Sequence, residues 1–505
     1  MHWAETLAWQ IIKRNPNKEE YVCAAGISPS GSIHIGNFRD VATSYFVVLA
    51  LRKLGKKAKL LHSWDNYDRL RKIPVNVGEI TSGWEKYIGY PLSGIPNPFE
   101  DDAKSYSDHF EAEFADSLID FGIQPDYRNQ TEMYKSGKYT KEILLALDER
   151  SRIFDILAKF RTQDSVEGER ENYYPVTIYC PVCGRDTTSI DVYDDISHTA
   201  TYSCKCGHTA EFDFNTEYNC KLAWKVDWAM RWGYEGVDFE PGGADHASPM
   251  GSFQTSRIIA QEIFRITEPI FQGYSFIGLK GVAGKMSGST GLNLTPKTLL
   301  QIYEPEVILW LYSRTDPLHS FDFCFDGGIL RQYTEFDRVY SSVINGSANE
   351  LDTAIIENCK VNDRTINTVP MTWLVQFGSV VNFNAEVLET VFSKIGTPYT
   401  IAEFSRRLSL AQNWLNMCSP ESVNHLPVHR NWEVYDQLSQ SEKDEIATLY
   451  QNLSDNEYQL DELNQMIYAV PSQVFGEIED AKEKKKLQAA FFKNIYQLLI
   501  GKEQG

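Results

Sequence analysis

Short apolar runs in this chain alternate with longer stretches whose apolar residues return every three or four positions. Tyr21–Ala25 has the length and composition of a buried parallel strand. From Gly36 to Leu54, Phe38, Val41, Ala42, Tyr45, Phe46 and Leu49 recur at helical spacing, and Gly55 stands where a left-handed residue closes a helix. Ala58–Trp64 predicts a second buried strand, and glycines and prolines between Gly78 and Pro98 mark an irregular excursion. Helices are predicted at about 101–121 and 138–163. Asn219–Trp232 continues the pattern, with Trp224, Trp228 and Trp232 on one helical face. Val237–His246 reads as a strand and a loop, 251–264 as a helix, and Phe271–Ile277 as another strand. This alternation, on both sides of a cysteine-rich segment, predicts an α/β fold with a split Rossmann-type parallel sheet. After Thr295 the pattern turns helical, apart from a strand-like piece at Phe321–Phe325. Thr400-x-x-Glu403 and Ser441-x-x-Asp444 read as capping-box starts, and a last helical pattern covers Glu477–Leu499.

Composition changes this picture little. A chain of 505 residues has room for three or four domains. No apolar run is long enough to cross a bilayer, and Met1–Glu5 has neither the basic nor the apolar part of an export signal. The expectation is a cytoplasmic protein with no membrane attachment. A net charge of −20 requires any contact with nucleic acid to be focused. From Arg52 to Lys72 the balance is locally reversed, with eight basic residues against two acidic ones.

Three places carry candidate chemistry. The loop from Gly26 through Ser28, Pro29, Ser30 and Gly31 leads from a strand to the mouth of a helix at His34, Gly36 and Asn37. Free N–H groups and the positive end of the helix dipole favour phosphate there, and a histidine can donate to phosphate oxygens. Far along the chain, Lys285-Met286-Ser287-Gly288-Ser289 sits in a second glycine-containing loop after an apolar run. Between them, Asp65 and Asp68 follow the second strand; they suit a substrate ammonium or the capping of a turn. Trp224 with Asp227 likewise suits a cation.

Nine cysteines, four of them clustered, argue for a reducing compartment. Cys180-Pro-Val-Cys183-Gly and Cys204-Lys-Cys206-Gly-His208 form two knuckles of a zinc ribbon with a structural Zn2+. The second knuckle has one spacer residue instead of two. Its ligands are therefore Cys204 and Cys206, or one of these with His208 as the alternative. Cys23, Cys220, Cys324, Cys359 and Cys418 read as core residues.

The two distant loops resemble the HIGH and KMSKS signatures of class I aminoacyl-tRNA synthetases, here as His34-Ile-Gly36-Asn37 and Lys285-Met-Ser-Gly-Ser289. His2-Trp3-Ala4, Trp64–Pro74, Cys180–Arg185 and Trp224–Trp232 are similar to the lysyl branch of that family, over most of residues 1–300. The resemblance implies a catalytic domain at 1–167 and 216–300, a zinc ribbon at 168–215, a stem-contact region at 301–375 and a helical anticodon-binding domain at 376–505. It implies activation of L-lysine with ATP and Mg2+, then transfer to the 2′-hydroxyl of the terminal adenosine of tRNA(Lys), by an enzyme expected to be monomeric. His34, Asn37, Lys285, Ser287 and Ser289 take the catalytic positions. Pro29, Gly31, Gly36 and Met286 join them around ATP. Gly26, Ser28, Trp224, His246 and Tyr274 take the lysine-binding positions, with Asp227 or Asp65 as candidate carboxylate. Ser28 stands where threonine is common, and Gly288 replaces the second lysine of KMSKS. A synthetase for another amino acid, chiefly glutamate, a nucleotidyltransferase, and a non-catalytic RNA-binding paralogue that kept the fold are the competing readings.

Overall fold

The computed structural model describes residues 1–74, 77, 82–161, 166–281, 294–362, 364–424, 426–427 and 429–503. These divide into two compact units, one of Met1–Cys324 with Val339–Arg364, the other of Phe325–Arg338 with Thr365–Gly505.

In the first unit the chain opens with α1 (Trp3–Arg14), β1 (Glu20–Ile27), α2 (Ile35–Lys53) and β2 (Lys57–Trp64). Gly55 takes φ 74° after α2, as its position predicts. β1 and β2 pair in parallel along their full length, from Glu20 beside Lys57 to Ile27 beside Trp64. α3 (Tyr106–Asp120) leads to β3 (Asp126–Asn129), a short edge strand parallel to β2. Its residues Asp-Tyr-Arg-Asn carry no apolar run, so the sequence pattern misses it. The helix expected over 138–163 is broken at Glu149. After α4 (Gln130–Lys135) the chain forms α5 (Thr140–Asp148) and α6 (Arg150–Ala158).

The ribbon follows. β4 (Val176–Ile178) enters it, β5 (Thr188–Asp194), β6 (Thr199–Cys204) and β7 (Thr209–Asp213) form an antiparallel meander, and β8 (Cys220–Leu222) leaves it paired with β4. The main sheet resumes with α7 (Trp224–Glu235), β9 (Phe239–Gly243), α8 (Ala244–Ala247), α9 (Ser252–Glu262) and β10 (Ile270–Tyr274). Strand order is β10-β9-β1-β2-β3, and every pairing is parallel. The order reverses between β1 and β9. In open α/β sheets the crevice beyond the carboxyl ends at such a reversal is where ligands bind. β11 (Gly278–Lys280) and β12 (Asp322–Cys324) form a separate parallel pair.

α2 lies between layers and is buried nearly all round, including the polar Arg39, Asp40, Thr43 and Ser44. Each has a partner: Ser44 Oγ donates to Ala24 O at 2.6 Å, and Arg39 donates to Ser275 O at 2.6 Å and His319 O at 2.8 Å. Trp228 and Trp232 are core residues, whereas Trp224 is half-buried and stacks on Trp228 at 5.1 Å. Cys23, Cys220, Cys324 and Cys359 are buried and Cys418 half-buried.

Among its described residues the second unit is helical. Thr400 and Glu403 form the predicted capping box of the helix Ile401–Cys418. The box expected at Ser441 and Asp444 lies two residues earlier, at Ser439 and Glu442. Arg407 is buried here, forked onto Asp337 with both contacts at 2.8 Å, and donates to Val369 O. No described helix is long and apolar enough to cross a membrane.

Candidate active site

The loop after β1 ends at His34, the N-cap of α2. Its Nδ1 accepts from Gly36 N–H at 3.0 Å, which leaves the ring proton on Nε2. The next two amides are also taken: Ile35 N–H donates to Leu294 O and Asn37 N–H to His34 O, each at 2.9 Å. The expectation of free N–H groups at this helix mouth is thus corrected. What remains for an anion is the helix dipole, the Asn37 side chain and Nε2–H of an exposed histidine. Desolvation of the ring lowers the His34 pKa, which favours this neutral donor. The close capping also explains Gly36, where a Cβ would stand 2.8 Å from His34 Cε1.

Lys285, Met286, Ser287 and Ser289 lie outside the described residues. The chain on either side of them is described. Leu294 bonds to Ile35 in the HIGN stretch, and Ser275, beyond β10, bonds to Arg39 one turn further along α2. Pro29 is buried and Gly31 half-buried, and Tyr106 of α3 holds the loop by donating to Ser30 O at 2.9 Å.

The lysine-pocket candidates gather around a buried ion network. Ser28 Oγ donates to Asp68 Oδ2 at 2.8 Å, and Lys221 Nζ lies 3.0 Å from Asp68 Oδ1 and 3.2 Å from Asp227 Oδ2. Arg231 bridges Asp227 at 3.3 Å and Asp65 at 2.7 Å. Asp227 also accepts from the Tyr134 hydroxyl and is 1% exposed. Both of its oxygens are thus engaged within the protein, Oδ1 by Tyr134 and Oδ2 by Lys221 and Arg231. Burial raises the Asp65 carboxyl despite Arg231. For Asp68 burial also acts upward, but Lys221 and Ser28 outweigh it and hold the carboxyl below its usual range. Lys221 itself is pushed up, because Asp227 and Asp68 overcome its burial. Of the three carboxylates, Asp68 is the one that reaches solvent, its side chain being 21% exposed.

Gly26 N–H donates to Asp40, which is also hydrogen-bonded by the Tyr274 hydroxyl. Burial and then Glu240 push the Asp40 carboxyl well up. His246, half-buried, lies 5.7 Å from the Trp228 ring and 6.5 Å from the Trp224 ring. Gly26, Ser28, Trp224, His246 and Tyr274 thus stand around the carboxyl ends of β1, β9 and β10. Sequence reasoning missed Lys221, Arg231 and Asp40. For Arg231 a signal was present, because it follows Asp227 by four residues on one helix.

A family model described as tRNA synthetases class I (K) matches residues 1–362. This chain is a class I tRNA synthetase. A lysine–tRNA ligase of Treponema pallidum (strain Nichols) is 35% identical over 523 positions, covering 100% of this chain and 94% of the relative. Another, of Pyrococcus horikoshii, is 33% identical over 518 positions, covering 100% and 95%. A third, of Streptomyces coelicolor, is 34% identical over 550 positions, covering 100% and 94%. Synthetases of this class use ATP with Mg2+.

The ribbon of this synthetase brings the sulfurs of Cys180, Cys183, Cys204 and Cys206 within 4.8 Å of one another. Cys180 and Cys206 are 3.8 Å apart, Cys183 and Cys204 3.6 Å. A tetrahedron with Zn–S bonds of ~2.3 Å has edges of ~3.8 Å, so the four thiolates fit zinc and leave no open position. His208 is outside this group; its carbonyl instead accepts from Cys204 N–H at 2.8 Å and closes the second knuckle.

Proposed function

We propose that this synthetase is a lysine–tRNA ligase that converts L-lysine and ATP to lysyl-adenylate and pyrophosphate, then transfers lysine to the terminal adenosine of tRNA(Lys). The observation that carries the reading is the placement of the HIGN loop at the reversal of a parallel sheet, with Leu294, just past the KMSxS stretch, bonded to it. The three full-length lysine–tRNA ligase relatives supply the amino acid.

In the first step a carboxylate oxygen of lysine attacks the α-phosphorus of ATP and pyrophosphate leaves. His34 Nε2–H and Asn37 hold phosphate oxygens and ribose, and Lys285 stabilises the charge that grows on the departing pyrophosphate. Ser287 and Ser289 shape that loop, and Pro29, Gly31, Gly36 and Met286 line the nucleotide. Mg2+ arrives with ATP and neutralises part of its charge. In the second step a hydroxyl of the terminal adenosine attacks the acyl carbon and AMP leaves. Positioning and electrostatics suffice, with no covalent protein intermediate.

Gly26, Ser28, Trp224, His246 and Tyr274 surround the amino acid, and the carboxylate facing its ammonium is Asp68. Cys180, Cys183, Cys204 and Cys206 hold a structural zinc. Residues 301–375 contact the acceptor stem and 376–505 the anticodon. The enzyme acts as a monomer in the cytoplasm. The test is charging of tRNA(Lys) with lysine and, in parallel, of tRNA(Glu) with glutamate; charging of glutamate alone would overturn the assignment.

A further inference from the structure

The ribbon meets the amino-acid pocket from both of its ends. The residue after β4, Tyr179, is buried and donates from its hydroxyl to Tyr67 O at 2.6 Å. Tyr67 in turn donates to Asn219 Oδ1 at 3.2 Å, and Asn219, just before β8, bonds back to the Tyr179 backbone. β8 carries Lys221 to Asp68 and Asp227.

Beside the first cysteine knuckle, Asp186 pairs with Arg69 at 2.7 Å and donates its own N–H to Gly89 O at 2.9 Å. Gly89 and Tyr90 are bonded to Leu70, and Asp68 O accepts from Leu92 N–H at 2.9 Å. A Cβ at Gly184 would stand 2.6 Å from the Tyr90 ring, so the knuckle sits directly on this loop. Residues 67 to 70 are held on every side, and Asp68 is in the middle of them.

Such holding has a physical purpose. Asp65, Asp68 and Asp227 share two cations, Lys221 and Arg231, which leaves one formal negative charge over. Asp68 is the member with access to water, so repulsion would swing it outward unless its backbone were fixed. A fixed Asp68 beside Ser28 presents that surplus charge to one incoming ammonium.

We propose that the cysteine ribbon is a positioning element for the amino-acid pocket, with Tyr179, Asp186 and Lys221 fixing Asp68 to receive the side-chain ammonium of the substrate. This rests on the lysine–tRNA ligase reading above. Asp186 and Tyr179 are positioning residues, as they touch Arg69 and Tyr67 and not the substrate.

The experiment measures binding of lysine and of ATP separately by calorimetry, with the zinc content of each preparation, for wild type, Asp186→Asn, Tyr179→Phe, Arg69→Gln and the Asp186→Asn/Arg69→Gln double variant. Lysine Kd is expected to rise about three- to tenfold in each single variant, the loss typical of one hydrogen bond. ATP Kd and zinc content stay at wild-type values, and the double variant is no worse than the poorer single one. Asp186→Asn changes a surface pair and keeps the fold should Tyr179→Phe not. An unchanged lysine Kd in Asp186→Asn, or equal weakening of lysine and ATP, overturns the proposal alone. Absence of lysine binding in the wild type, tested with tRNA(Lys) present, overturns the ligase reading with it.

Discussion

His34 has two separable duties. Its Nδ1 caps α2, and its Nε2–H is the donor proposed above for phosphate. Asparagine is a good N-cap but has no donor at the Nε2 position. His34→Asn should therefore retain the wild-type melting temperature while adenylate formation falls about 10²- to 10³-fold, the usual loss of one transition-state donor. His34→Ala should lose the rate and also about 1 kcal/mol of stability. Gly36→Ala tests the same geometry from the other side: its Cβ would strike the His34 ring, so KM for ATP should rise. The residue scale is also where the sequence was least complete. A glycine-flanked histidine after a strand is legible because loop chemistry is local. Lys221 and Asp68 are 153 positions apart in number, and no periodicity brings them together; only the ribbon does. Asp227 shows the converse, since a carboxylate next to Trp224 suits a cation on paper yet has its cations already in Arg231 and Lys221.

At the scale of elements, β2 carries an acid-sensitive residue away from the site. His62 is fully buried among Trp64, Phe114 and Tyr127, and neither ring nitrogen has a hydrogen-bond partner. Burial depresses its pKa to about 3. Below pH ~6.5 the unfolded chain binds a proton there and the folded chain does not. This contribution to stability is therefore whole at neutral pH and lost as pH falls, at about 1.4 kcal/mol per unit. His62→Phe should flatten the pH dependence of unfolding between pH 6 and 4, as denaturant titrations would measure. An identical slope in the variant would refute it. The ribbon supplies a second prediction. Chelation of the proposed zinc, or Cys183→Ser, should lower the melting temperature, because the buried core of the meander is small, with Ala200, Tyr202, Phe212 and Phe214 backed by the partly buried Ile190, Tyr193 and Ala210. Elements with a buried face were legible: β1, β2, β9, β10 and α2 fall within a few residues of their expected bounds. β3 was not, because a polar edge strand has neither alternation nor an apolar run. Nor was the break at Glu149, since α5 and α6 keep one apolar stripe across it.

The whole molecule carries a net charge of −20. Beside the pocket, cations from α7 and β8 hold carboxylates of the β2 loop. The fold class and the two signature loops could be read from the chain because each is a local pattern repeated in the right order. The central claim joins loops some 250 residues apart in the sequence at one nucleotide. Its most direct test is lysine charging of tRNA(Lys) by wild type and Lys285→Ala under saturating ATP. The account predicts rapid, AMP-releasing charging by the wild type and a loss of about 10²- to 10³-fold in the variant, with lysine Kd unchanged. Charging by Lys285→Ala at the wild-type rate, or no charging by either protein, would contradict it.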